Sequence, residues 1–267
     1  MGTMIEFARP DKGGTKGYLA IAGQGRPGVV VIQEWWGLND QICGVADRFA
    51  RAGYNALAPD LYKGRLTTEP DEANHLMTGL DFADATHQDL RGAAQHLQAQ
   101  SGKLAVMGYC MGGALTIAAA VHAPEFSPGV CFYGIPSKAF AEPAKMRMPL
   151  QGHFANKDDW CTPAAVDDLE RTLKTAAVRH EIYRYDAAHA FANERSAAYD
   201  VACANHFGMA MAIARGTPQA PLRTPEDLYQ ARIVAVSEAA AGVGIEIGMT
   251  GLEAVGKMLA GGDGAKP

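Results

Sequence analysis

The chain has 267 residues, 48% of them hydrophobic and 20% charged, with a formal net charge of −5, which is the balance of a soluble globular protein built on one large domain with room for an appendage. No run approaches the roughly 20 apolar residues that span a bilayer, the first twenty residues lack the apolar block of a secretory signal, and Lys and Arg are scattered instead of striped, which argues against a nucleic-acid footprint. The five cysteines, Cys43, Cys110, Cys131, Cys161 and Cys203, contain no Cys-x-x-Cys pair, so a reduced cytoplasmic chain without metal or cofactor, interacting with neither membrane nor nucleic acid, is the expectation.

In chain order, residues 4–8 and 18–21 read as two short strands around a Lys-Gly-Gly-Thr turn, an antiparallel edge. Residues 29–32, Val-Val-Val-Ile, form a β-branched run without polar alternation, as in a parallel strand covered on both faces. A helix over 41–52 stopped by Gly53, and a strand over 55–58 ending at Pro59, complete a β-α-β unit. A helical stretch over 69–100, broken near Gly79, leads to a strand at 104–107 and an apolar helix at 112–121. Strands at 130–133, 148–151 and 182–185, with a helix over 164–176 between the last two, continue the alternation. The expected fold is therefore α/β, a doubly wound, mostly parallel sheet with antiparallel N-terminal strands.

Residues 1–214 are expected to form this domain, and 215–267 a linker followed by a helical C-terminal extension. Thr224 can cap a helix over 225–241, with Pro225 at its first position and Glu226 and Asp227 in its first turn. Over 242–262 the internal glycines weaken any helix.

In a doubly wound sheet, ligands bind beyond the carboxyl ends of the strands, so the residues just after each strand carry the chemistry. Four such places stand out. Cys110 lies on the strand–turn–helix segment Gly108-Tyr109-Cys110-Met111-Gly112-Gly113, whose small neighbours allow the close packing of a nucleophile elbow. The helix N-terminus beside it favours a thiolate, and the Met111 N–H can donate to an oxyanion. His189, directly after the strand at 182–185, is the candidate base, and His153, which follows a strand, a supporting residue. Asp158 or Asp159 can orient that base, in the chain order nucleophile, acid, histidine. Gln33-Glu34-Trp35-Trp36-Gly37 follows the first buried strand. A main-chain N–H there can be the second oxyanion donor, Trp35 or Trp36 can wall a pocket, and Glu34 can hold the thiol proton at rest.

Together these segments, with Pro59-Asp60-Leu61-Tyr62 and Ala188-His189-Ala190-Phe191, resemble the dienelactone hydrolase (carboxymethylenebutenolidase-like) family of the α/β-hydrolase superfamily, over roughly residues 4–210. The resemblance implies an α/β-hydrolase fold and a triad of Cys110, Asp158 and His189. It also implies Glu34 as the group that keeps the thiol neutral, and Trp35 and Met111 as oxyanion-hole residues. The implied reaction is hydrolysis of a small-molecule ester or lactone through an acyl-enzyme, by a monomer or homodimer. Family members that hold a substrate carboxylate do so with two arginines. The first could only be Arg65 here, by a one-residue shift; the second is replaced by Asn193, with Arg195 close by. A thioesterase or acyltransferase on the same triad, and a non-catalytic ligand-binding protein of the same fold, are the alternatives. The tail beyond Ala214 has no counterpart in the resemblance.

Overall fold

The computed structural model describes residues 1–193, 201–206, 208–215 and 224–262. Its contacts separate a unit of residues 1–185 from one of residues 186–267. The main sheet comprises β1 (Thr3–Ala8), β2 (Gly14–Ala20), β3 (Arg26–Ile32), β4 (Asn55–Pro59), β5 (Ser101–Tyr109), β6 (Gly129–Phe132), β7 (Leu150–Lys157) and β8 (His180–Ala188). Their order across it is β1-β2-β4-β3-β5-β6-β7-β8. β1, β2 and β4 pair antiparallel in succession, and β4, β3, β5, β6 and β7 pair parallel. This is the mostly parallel sheet with antiparallel N-terminal strands expected from the sequence.

Burial explains the central run. Val30 and Ile32 enter one core cluster with Leu57, Val106, Leu90 and Leu115. Val29 and Val31, which point to the opposite face of the strand, are equally inaccessible. Helix α1 (Asp40–Arg51) packs on β3 and β4; Asn39 caps it by accepting the Ile42 N–H at 3.1 Å. After it, Gly53 supplies the left-handed turn at φ 92°.

The stretch expected over 69–100 is α2 (Pro70–Thr78), a break, and then α3 (Phe82–Asp84), a π-helical segment (Ala85–Leu90) and α4 (Arg91–Gln98) run together. Helix α5 (Met111–His122) is buried at every position from Met111 to Val121. An all-round apolar helix has nowhere to sit but the core. Helix α6 (Pro163–Thr175) packs on β7.

Strand β7 departs from expectation. It begins at Leu150 and continues to Lys157, so His153 lies inside the strand instead of after it. There His153 stacks on Phe132 at 4.5 Å and on Tyr183 at 5.2 Å, with Nδ1 2.7 Å from the Tyr185 hydroxyl. It is a sheet-face histidine.

The second unit comprises α7 (Val201–His206), β9 (Ala212–Arg215), α8 (Pro225–Gln230), β10 (Arg232–Val236), α9 (Glu238–Gly242) and α10 (Gly251–Gly262), with a small core of Ile233, Ala240, Ile245 and Ala254. Two expectations are corrected here. The helix begun at Pro225, with the Thr224–Asp227 capping box in place, ends at Gln230. The run Ile233-Val234-Ala235-Val236 pairs antiparallel with β9 instead, because β-branched residues find a strand partner and a buried place for Ile233. Conversely, 251–262 is helical despite its glycines. Thr250 and Glu253 close a reciprocal cap, with bonds of 2.8 and 3.2 Å, and Ala254 is buried. A cap of that kind contributes about 1 kcal/mol, comparable to what one internal glycine costs. Arg215 closes β9, and the remainder of the expected linker, 216–221, lies outside the described residues. No helix among the described residues is long and apolar enough to cross a membrane.

Candidate active site

The parallel register sets the site. Ile32 lies level with Gly108, Tyr109 with Phe132, and Phe132 with His153, so β3, β5 and β6 deliver Gln33-Glu34, Cys110 and Tyr133 side by side at their carboxyl ends. Between β5 and α5 the chain reverses at Cys110 with φ 54° and ψ −116°, a conformation that L residues rarely adopt. Its N–H donates to the Phe132 carbonyl at 3.0 Å and its carbonyl accepts from Ala114 at 3.1 Å, which ties the turn to β6 on one side and starts α5 on the other. Two glycines make the turn possible. A Cβ on Gly108 would run into the backbone of Gly112, and one on Gly112 would sit 2.6 Å from the carbonyl oxygens of Ile32 and Gln33.

Cys110 is buried, and its thiol is held well above its usual range. Desolvation is the largest cause and the negative charge of Glu34 the second; the Met111 N–H facing the sulfur acts the other way. The thiolate expected from the helix N-terminus is thus overruled in the resting state, because one N–H cannot offset burial and an adjacent carboxylate. Glu34 is only 2% exposed and accepts the Tyr133 hydroxyl at 3.0 Å. The same carboxylate, after burial, pushes the Tyr133 hydroxyl far up. Tyr62, buried near the thiol, donates to Met111 Sδ at 3.3 Å, and burial raises its hydroxyl too.

Cys110 opens onto a cavity of about 800 Å³. Met77 at the end of α2, Leu80 in the turn and Phe82 at the start of α3 line it on one side, Ile135 and Phe140 from the loop after β6, and Trp160 from the loop after β7. A second cysteine, Cys161, reaches the same cavity, with its thiol pushed up to about 12 chiefly by burial and next by Asp158.

Of the two candidate acids, Asp158 is 3% exposed and Asp159 is on the surface. Asp158 Oδ1 accepts the N–H groups of Trp160 at 2.7 Å and Cys161 at 2.9 Å, which folds the loop after β7 around it. Trp35 and Trp36 are half-buried and meet edge to face at 4.9 Å. Arg65 lies on the surface, paired with Glu72 at 3.0 Å, and does not line the cavity. His189 follows β8 directly, at the head of a turn in which Ala190 takes φ 61° and the Asn193 N–H donates to the Ala190 carbonyl at 2.9 Å. Asn193 is buried, and Arg195 lies outside the described residues. No cluster of His, Cys, Asp or Glu suited to a metal ion occurs among the described residues.

Two residues near the thiol escaped the sequence reading, Tyr133 and Cys161, and Tyr62 was singled out only as part of a resembling segment, without a role. Tyr133 was within reach of the rule already applied, since it stands directly after β6 at φ 38°; Cys161 gave no sign, its place depending on how Asp158 turns the loop.

A family model described as the dienelactone hydrolase family matches residues 15–211, and one for a domain of unknown function (DUF1805) matches residues 197–258. Protein usf of Aquifex pyrophilus is 34% identical over 208 residues, 73% of this chain and 89% of that protein. A relative from Aquifex aeolicus that carries the name carboxymethylenebutenolidase is 31% identical, with the same coverage. Among solved structures, one from Klebsiella pneumoniae described as a dienelactone hydrolase superposes with a TM-score of 0.66 at 25% identity, covering 77% of this chain and 95% of its own. A dienelactone hydrolase-like phosphotriesterase from metagenomic libraries shares the fold, with a TM-score of 0.60 at 22% identity over 71% of this chain and 84% of its own.

Proposed function

The chain belongs to the dienelactone hydrolase family of α/β-hydrolases, a hydrolase of carboxylic ester or lactone bonds, and from that premise we propose that it works through Cys110 as a covalent nucleophile with His189 as base and Asp158 as the acid that orients it. The observation that carries this reading is the left-handed turn at Cys110, which opens onto the cavity with the Met111 N–H facing its sulfur.

In the resting enzyme the thiol is neutral, guarded by Glu34. When a carbonyl enters, Cys110 Sγ passes its proton to His189 and attacks the carbonyl carbon, the C–S bond forming as the carbonyl π pair moves onto oxygen. The main-chain N–H groups of Trp35 and Met111 receive the oxyanion. His189 protonates the departing alkoxide, leaving an acyl-thioester on Cys110. Water, deprotonated by His189, then attacks that thioester; the C–S bond breaks, the carboxylic acid leaves, and His189 returns the proton to Cys110 Sγ to restore the thiol. Asp158 suits the orienting role better than Asp159 because it is buried and fixed by two main-chain N–H groups.

Replacing Cys110 by Ala should lower kcat/KM on aryl esters by about a thousandfold or more, with the circular dichroism spectrum unchanged. Mass spectrometry of wild type quenched with an activated ester should find the acyl group on Cys110. Undiminished turnover by Cys110→Ala, or acylation elsewhere, overturns the reading.

A further inference from the structure

The cavity beside Cys110 has a one-sided chemistry. Apart from its two cysteines it holds a single ionisable side chain, Asp81, and no Lys or Arg lines it among the described residues. Its volume of about 800 Å³ falls toward the upper end of the roughly 300–1,000 Å³ that accommodates drug-sized molecules. The walls are methionine, leucine, isoleucine and aromatic side chains, with Phe82 and Phe140 meeting edge to face at 6.3 Å. A carboxylate entering such a space would leave water and, among the described residues, meet no Lys or Arg to pair with. It would also meet a fixed negative charge. Asp81 caps α3, with Oδ1 accepting the N–H groups of Ala83 and Asp84 at 2.9 Å each, so its carboxylate is held at the cavity lining.

We propose that this cavity selects esters and lactones whose acyl part is apolar and uncharged, and discriminates against those that carry a free carboxylate. The proposal rests on the Cys110 hydrolase reading and adds the substrate class to it. Apolar walls reward each methylene taken from water, whereas Asp81, being exposed, contributes a smaller and salt-dependent share.

The experiment compares p-nitrophenyl esters of acyl chains from two to eight carbons with the mono-p-nitrophenyl ester of adipic acid, the carboxylate-bearing match of the hexanoate. Within the neutral series, kcat/KM should rise roughly threefold per methylene until the cavity is filled. Hexanoate should exceed the adipate monoester at least tenfold. Asp81→Asn keeps the cap and removes the charge, so it should narrow that ratio about two- to fivefold at low salt and less at high salt. A ratio that does not move in that variant overturns the part assigned to Asp81.

Binding is measured separately by calorimetry on the Cys110→Ala protein, where hexanamide should bind at least tenfold more tightly than adipamate, the monoamide that carries a free carboxylate at the far end of the same chain. Equal or tighter binding of adipamate, or Cys110-dependent preference for the adipate monoester, overturns the substrate class and leaves the cysteine mechanism standing. Ester turnover that survives Cys110→Ala overturns the mechanism, whichever ester is preferred.

Discussion

Cys110 lies between two unlike regions. On the strand-end side it meets polar groups that are buried and tied to one another: Glu34 and Tyr133 share a 3.0 Å hydrogen bond, and Tyr62 reaches Met111. On the cavity side it meets an apolar lining in which Asp81 is the one charged side chain among the described residues. The thiol is held well above its usual range by two distinct causes. Burial of the sulfur is the larger cause, as it is for Cys161, and the charge of Glu34 on the strand-end side is the second. The comparison separates reactivity from selectivity. The proton on sulfur answers first to burial and then to the Glu34 carboxylate, and under the proposed substrate class the choice of acyl group answers to the apolar walls.

The strongest way to break the comparison is to dismantle the turn that holds Cys110 between the two regions. Gly112→Ala would place a methyl group 2.6 Å from two main-chain oxygens, that of Ile32 at the end of β3 and that of Gln33 just after it. It should destabilise the fold by about 3 kcal/mol in urea unfolding; an unaltered midpoint would mean that the elbow is not clamped as described.

The next effect isolates charge from burial. Glu34→Gln retains an acceptor for the Tyr133 hydroxyl and removes the negative charge, so the Cys110 thiol should become more acidic. Alkylation by iodoacetamide at pH 8 should accelerate about tenfold, the equivalent of one pKa unit. If the rate stays at the wild-type value, burial alone governs the thiol.

Alkaline unfolding probes the burial side. Cys161 is pushed up to about 12 and Cys43 to about 11 from an ordinary 9.0. The native state therefore keeps protons that the unfolded chain releases above pH 9. Stability from these thiols is complete below that pH and lost as pH rises toward 11 and 12. The urea midpoint should fall across this window, and Cys161→Ser should flatten the decline; an identical slope in the variant would exclude Cys161 as a source.

The smallest effect belongs to Arg65. Its pairing with Glu72 is solvent-exposed, so Arg65→Ala should change stability by less than about 0.5 kcal/mol. Turnover of neutral esters should not change. A loss of turnover confined to carboxylate-bearing esters would place Arg65 at the substrate after all.

Much of this was legible in the sequence. The Val-Val-Val-Ile run announces a strand buried on both faces, and the spacing of Gly108 and Gly112 around Cys110 announces a turn that only small neighbours permit. These are local statements, because a β-branched run or a glycine constrains its own backbone wherever it is placed. Glu34 was legible too, as an acid directly after a buried strand.

Elsewhere the chain needed its partners. The segment after Gln230 became a strand because β9 was there to pair with it, and 251–262 became a helix because a cap and a buried Ala254 outweighed its glycines. His153 moved from a loop into β7 because the strand runs on to Lys157, and the choice between Asp158 and Asp159 as the buried acid depended on how that loop folds. The state of Cys110 was decided the same way. Residue types and spacing determined that a cysteine would sit at the head of α5, whereas its protonation depended on how much solvent and how much of the Glu34 charge reached the sulfur. Those are distances between segments far apart in the chain, and only the packed sheet defines them.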